Sequence, residues 1–387
     1  MIDARGIPLA LYVHLPWCVR KCPYCDFNSH AVPAGGIAEE AYVAALRRDL
    51  DFAAPAVAGR EIVSVFFGGG TPSLFSAAAI ARVLSHARSL LPFAADAEIT
   101  LEANPGTVEH GRFADYAAAG VNRVSLGAQS FDEAKLATLG RIHGAGDIAR
   151  AVGELRTAGI DNFNLDLMYA LPGQDLQGAL DDLDRAIALA PTHVSHYQLT
   201  LEPDTPFAKR PPAGLPDDDL AWSMQVECQA LLAGAGYEQY EVSGYAQPGR
   251  RCRHNLVYWE FGDYLGIGAG AHGKVTRAGS DAIERTIRVR HPAAYLAATT
   301  AQQGIAEARD VSRADLPFEF CLNALRLVAG FTPQHFEQRT GLPVAVLEQP
   351  AEQARARGLL ERVDGRWRAT ALGRRFLNDL QEQFLPV

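Results

Sequence analysis

No apolar run in the 387 residues approaches the ~20 needed to span a bilayer as a helix, and "MIDARGIPLA" lacks the apolar stretch of a secretory signal. A cytoplasmic protein with no membrane span is expected. Cysteine is scarce: six in all, with Cys228, Cys252 and Cys321 scattered. That usage argues against a disulfide framework and for a reducing compartment. Basic residues are outnumbered, 36 Lys plus Arg against 45 Asp plus Glu, and the net charge of −9 disfavours a nucleic-acid role for the chain as a whole. There is no short-period repeat and no low-complexity tract. With 48% hydrophobic residues the chain can bury a substantial core.

Six short aliphatic or β-branched runs alternate with Ala/Leu/Arg helical patterns: "LALYVHL" (9–15), "IVSVFF" (62–67), "AEITLE" (97–102), "RVSLGAQ" (123–129), "NFNLDLMYA" (162–170) and "HVSHYQLT" (193–200). This α/β alternation predicts parallel strands covered on both faces, as a partial (β/α)6 barrel. Polar residues recur at the strand C-terminal ends, the rim where barrel ligands sit. The Pro-rich "AKRPPAGLPDDD" (208–219) reads as a surface loop. Three units are expected: the barrel over 1–215, an extension over 216–304 and a C-terminal unit over 305–387. In the last, helical runs precede two short strands around "VDGR", a winged-helix-like order. Seven Arg against three acidic residues lie between 351 and 375, which reads as a solvated face of a packing module.

The remaining cysteines are concentrated in "HLPWCVRKCPYCDFNSH" (14–30), where Cys18, Cys22 and Cys25 form C-x3-C-x2-C after the first strand. Zinc completed by His14 or His30 is one reading, although zinc sites usually draw paired ligands from two loops, and no second pair follows. A [4Fe-4S] cluster is the other, with three thiolates leaving one iron open for an outside ligand.

At this loop the chain resembles the radical S-adenosylmethionine (SAM) superfamily, whose signature is C-x3-C-x2-C with an aromatic before the last cysteine, as in "PYC" here. The resemblance implies that Cys18, Cys22 and Cys25 ligate a [4Fe-4S] cluster whose open iron is chelated by SAM. Reductive cleavage of SAM to a 5′-deoxyadenosyl radical is the chemistry of that superfamily. It also implies SAM contacts from Tyr12, from Gly69, Gly70 and Thr71 in "FFGGGTPS", and from Glu102 in "LEANP", Gln129 in "LGAQSF", Arg141 in "LGRIH" and Asp166 in "NLDLMYALPGQ". Side chains of these types suit those tasks: a fixed guanidinium fork for a carboxylate, carboxylates for an ammonium or ribose hydroxyls.

In order and spacing these residues are similar to one branch, the oxygen-independent coproporphyrinogen III oxidases and their HemW relatives. The oxidases carry a further cysteine two positions after the third, where this chain has Phe27, and a longer N-terminal arm. Both departures weigh against porphyrinogen decarboxylation. HemW members instead look like "CPYCDF" plus H-N-x-x-Y-W, which stands here as His254, Asn255, Tyr258 and Trp259. The resemblance implies a heme chaperone, with recipient hemoproteins and a cluster reductant as partners and transient contact with membrane hemoproteins. A neutral imidazole at His254 suits heme iron, Asn255 suits its orientation, and Tyr258 with Trp259 offer faces to a macrocycle. Cys252 is a second iron-ligand candidate by proximity alone. Radical SAM oxidation of coproporphyrinogen III and a zinc-stabilised winged-helix regulator remain as alternatives. "GAGAHG" (268–273) matches G-x-G-x-x-G, but the sequence after it reads as strand and loop, so the glycines are expected to allow close backbone approach beside the cofactor, with His272 at the rim.

Overall fold

The structure is a computed structural model that describes residues 2–106 and 112–386. Strand β1 (Leu9–Leu15) leads to two short paired strands, β2 (Trp17–Cys18) and β3 (His30–Ala31), that bracket the cysteine loop. Next come β4 (Ile62–Gly69), β5 (Phe93–Ala103), β6 (Arg123–Gln129), β7 (Phe163–Tyr169) and β8 (His193–Gln198). Strands β1 and β4 to β8 are parallel and adjacent in chain order, as the six aliphatic runs predict. Helices Glu39–Ala53, Ala77–Leu90, Arg112–Ala118, Ala145–Thr157 and Leu176–Ala188 fill the crossovers.

Two-residue periodicity divides each strand between two environments. Leu9, Leu11, Val13, Val65, Phe67, Leu101, Val124 and Leu165 face the helices and form the main core. The opposite parity brings Tyr12, Ser64, Phe66, Glu98, Glu102, Arg123, Ser125, Asn164, Asp166, His193 and Tyr197 to the inner side. The barrel interior is therefore polar, a condition that demands internal hydrogen bonds.

The sheet does not stop at six strands. Antiparallel β9 (Glu238–Gln239) and β10 (Gly244–Ala246) continue it beyond β8. On the other edge β11 (Asp263–Ile267) pairs parallel with β1, and β12 (His272–Thr276), β13 (Ile283–Arg288) and β14 (Ile305–Asp310) follow antiparallel. One twelve-stranded sheet results. Residues 305–310, which the sequence reading assigns to the C-terminal unit, form an edge strand of this sheet, because their backbone groups pair with β13.

The C-terminal unit has helices Leu316–Ala324, Pro333–Thr340 and Glu348–Ala356, then the hairpin of β15 (Leu360–Val363) and β16 (Arg366–Ala369). Asp364 and Gly365 both have positive φ, the twist a two-residue hairpin turn requires. Its core of Phe320, Phe331, Phe336 and Leu380 also takes in Ile2 and Ile7, so the first residues of the chain are packed under the last domain. Among the described residues no helix is long and apolar enough to cross a membrane.

Candidate functional site

At the C-terminal rim of the parallel strands lies a cavity of about 280 Å3. It is lined by Cys18, Cys22 and Cys25, by Gly69, Gly70 and Thr71, and by Glu102, Gln129, Arg141 and Asp166. The chain folds this way through backbone stitching. Gly70 N donates to Leu15 O (2.9 Å) and Thr71 N to Trp17 O (2.7 Å), laying the glycine loop against the start of the cysteine loop. A side chain there would collide: a Cβ on Gly70 would stand 2.5 Å from Trp17 O, and one on Gly69, at φ +112°, 2.5 Å from the His14 ring. On the far side Asn28 donates to Ala269 O and Arg290 O, both at 2.9 Å, anchoring the loop to the β11–β12 connection and to the segment that follows β13. Gly268 and Gly270 lie there against His14 and Asn28, the close approach expected of "GAGAHG", and His272 is exposed.

Each rim residue carries a distinct preparation. Glu102 accepts from Gly69 N at 3.1 Å, and burial, then the neighbouring Asp166 carboxylate, pushes its carboxyl up to about 8. Burial likewise raises Asp166, against hydrogen bonds from Ser125 and Asn164 that favour its anion. Gln129 holds a positive φ of 68° and accepts from Tyr197 Oη at 2.7 Å. Arg141 donates to Gly127 O at 2.7 Å and reaches Cys22 Sγ at 3.7 Å, while its Nε is buried with no acceptor. Burial pushes the thiols of Cys18 and Cys25 up, a cost that a bound cationic centre would reverse.

This set suits a cluster and SAM. The three cysteines line a common cavity. His14, one proposed fourth zinc ligand, uses both ring nitrogens, on Tyr12 Oη (2.8 Å) and Asn28 O (2.9 Å). The unpartnered Nε of Arg141 and the two close carboxylates are complementary to an amino-acid moiety, and the ring of glycines leaves room for its backbone-like end.

Two sets of expected site residues stand back from this cavity. Tyr12 is not among the cavity-lining residues: its hydroxyl is bound to His14, and its ring lies beside the stacked pair of Phe66 and His254, 6.4 and 6.2 Å from them. The H-N-x-x-Y-W residues lie apart from it as well, with His254 buried and Asn255, Tyr258 and Trp259 half-buried. They lie on the helix Arg253–Trp259, tucked against β1, β4 and β11. His254 is 4% exposed, lies face to face with Phe66 at 4.3 Å, and is pushed down to about 3 by burial and then by Arg123. Its imidazole is neutral, as expected, but enclosed. Asn255 donates to Tyr240 Oη at 3.1 Å instead of to His254. The ring of Tyr258 meets His254 and Tyr264 at their edges, and Arg326 covers Trp259 at 4.2 Å. A second cavity, of about 200 Å3, is lined by Tyr258, Trp259, Tyr264 and Arg285. Cys252 is buried and donates towards Glu98 at 3.5 Å.

Further lining residues escape the motif-based reading: Tyr24, Asn104, Ser125 and Tyr197. Strand parity was the available signal for two of them, since Ser125 is two residues from Arg123 and Tyr197 two from Ser195. Tyr24 and Asn104 sit in irregular backbone, where no periodicity reports direction.

Comparison with known proteins agrees with this geometry. Residues 12–186 match the radical SAM superfamily and residues 311–376 the HemN C-terminal domain. The chain is 51% identical over 380 residues to a protein of Escherichia coli named heme chaperone HemW, covering 98% of both chains. It is 47% identical to the protein of that name from Haemophilus influenzae, again with 98% of each covered. Among solved structures, the coproporphyrinogen III oxidase HemN of Escherichia coli, a radical SAM enzyme, superposes with a TM-score of 0.82 at 25% identity, over 98% of this chain and 91% of the other. A full-length likeness at such identity, together with three thiols and a glycine loop on one rim, means that this chain belongs to the radical SAM superfamily and, within it, to the HemW family.

Proposed function

We propose that this protein is a cytoplasmic heme chaperone that carries a [4Fe-4S] cluster and SAM at the rim of its barrel and transfers heme to hemoproteins. The observation that carries the reading is Phe27. It lies on the cavity edge, 60% exposed, where the oxidase branch has a further cysteine. The names of the full-length relatives support the same branch. In this reading Cys18, Cys22 and Cys25 hold the cluster. Arg141 binds the SAM carboxylate, Glu102 its ammonium and Asp166 its ribose, with Gln129 and the Gly69–Thr71 backbone closing round it. When bound, cluster and SAM supply one-electron chemistry at the rim. The chain's own residues bind and orient SAM and keep the cavity walls polar on one side and glycine-lined on the other. Heme is cargo, and a reductant of the cluster is a second partner.

The test is anaerobic. Protein reconstituted with iron and sulfide is titrated with heme, then mixed with an apo-hemoprotein, and recovery of the recipient's absorbance is followed. Heme uptake and transfer are expected. Formation of protoporphyrinogen from coproporphyrinogen III would instead favour the oxidase reading, and a preparation holding zinc in place of iron and sulfide would overturn the cluster assignment.

A further inference from the structure

We infer that the helix bearing H-N-x-x-Y-W is the floor of the SAM site and a positioning device for it, not the place where heme iron is bound. The inference rests on the SAM reading above, and two buried connections carry it.

The first is an unbroken hydrogen-bonded chain through the barrel interior. Asn255 Nδ2 donates to Tyr240 Oη at 3.1 Å, and Tyr240 Oη lies 2.9 Å from His193 Nε2. His193 Nδ1 lies 2.7 Å from Asn164 Oδ1, and Asn164 Nδ2 donates to Asp166 Oδ1 at 2.8 Å and to Ser125 Oγ at 2.7 Å. Ser125 Oγ closes the far end on Asp166 Oδ2 at 2.9 Å. The directions agree throughout. Asn164 must present its carbonyl to His193 because its amide nitrogen is spent on Ser125 and Asp166. His193 Nδ1 is then the donor, Nε2 the acceptor for Tyr240, and the Tyr240 oxygen accepts from Asn255. Buried networks of this kind fix side-chain orientation when every member is satisfied. The chain starts in the motif and ends on a carboxylate that lines the cavity.

The second connection is a stack. His254 packs flat on Phe66 (4.3 Å, 15°). The Phe66 ring fills the place a side chain on Gly68 would need, 2.7 Å from the ideal Cβ, with Glu102 Oε2 next at 3.2 Å. His254 thereby backs the segment whose next residue, Gly69, holds Glu102. Glu98 fixes the helix against β5 by accepting from the backbone of Arg253 and His254. Two of the four motif residues thus lead to two SAM-site carboxylates. Tyr258 and Trp259 are engaged with Tyr264 and Arg326. The unpartnered Nδ1 of His254 is the one feature iron ligation would explain, and the experiment is built around it.

The experiment uses the full-length, cluster-reconstituted protein and compares wild type with Tyr240→Phe, Asn255→Ala and His254→Phe. Iron content and thermal melting establish that each variant is folded and loaded. SAM affinity is measured by equilibrium dialysis and by the change in the EPR spectrum of the reduced cluster on adding SAM, and heme affinity by Soret titration. Losing one internal hydrogen bond in Asn255→Ala should weaken SAM binding roughly threefold to tenfold, and losing two in Tyr240→Phe at least as much, with the Soret band and heme affinity unchanged. His254→Phe keeps the flat ring and removes both nitrogens, so SAM affinity should stay within about threefold, the difference of a single such bond, and the Soret spectrum should be unaltered. A shifted Soret band or lost heme affinity in His254→Phe would overturn the inference, as would undiminished SAM affinity in both hydrogen-bond variants. If wild type itself shows no SAM-dependent EPR change, the underlying SAM reading fails, a result distinct from either.

Discussion

In the proposed reading Glu102 and Arg141 receive the amino-acid end of SAM. With its carboxyl pushed up to about 8, Glu102 is mostly protonated at neutral pH in the empty cavity, and a SAM ammonium needs its anion. SAM binding must therefore release a proton below that value, and affinity should rise as the pH is raised from 6 to 9. Isothermal titration in two buffers of different ionisation enthalpy would read the proton release, and Glu102→Gln should abolish it. Arg141→Lys keeps the charge and loses the fork. With the Gly127 and Cys22 contacts and the free Nε–H all disrupted, SAM affinity should fall by roughly ten- to a hundredfold, the weight of a hydrogen bond to a charged group. Cys18, Cys22 and Cys25 are legible in the sequence from their spacing, and Glu102 and Arg141 from the resemblance to the superfamily. Tyr12 is not, for its direction depends on a hydrogen bond to His14 that spacing alone does not encode.

The glycine loop and the cysteine loop function as one element pair. Their contact is backbone on backbone, so it tolerates no side chain at Gly70. Gly70→Ala should destabilise the protein by about 1–3 kcal/mol, the usual cost of overpacking. It should also lower the iron retained per chain after reconstitution, a loss that iron analysis beside a denaturant melt would separate from simple unfolding. The six parallel strands were readable as elements because buried parallel strands form continuous apolar runs. Among the antiparallel extensions β9, β10 and β14 were not: β9 and β10 are two and three residues long, and β14 is an exposed edge strand without a face pattern of its own. Nor could composition tell that the helix Arg253–Trp259 points its histidine into the barrel. An aromatic and polar heptapeptide suits a ligand surface and a polar barrel interior equally well.

Across the whole molecule, buried charges join segments distant in sequence. Asp263 on β11 receives Arg60 Nη1 at 2.7 Å and Lys274 Nζ at 2.8 Å, with essentially no solvent exposure. Asp263→Asn would strand two buried cations, and a loss of about 3–5 kcal/mol is expected in equilibrium unfolding. Acid should act more diffusely. His143 and His335 are held down to about 4, His196 and His254 to about 3, in each case first by burial. A histidine lowered on folding binds fewer protons than in the unfolded chain, so its contribution is present above about pH 6.5 and is lost as the pH falls towards 3. Melting temperature should accordingly drop on acidification from pH 6.5 to 4. Variants with His335 replaced by Gln should show a shallower slope.

By itself the sequence determined the cluster loop, the order of the parallel strands, the rim residues and the branch of the superfamily. The loop and the strands depend on local spacing or periodicity, and the rim residues and the branch on the resemblance to a known family, all carried by the chain before it folds. Tertiary structure alone decided that Tyr12 and His254 stack behind the cavity, that Asn255 is joined through Tyr240, His193 and Asn164 to Asp166, and that residues 305–310 close a sheet edge. Those relations join residues tens to hundreds of positions apart. They exist only once the assembled sheet gives the polar parity of each strand a common inner side on which its hydrogen bonds must be met.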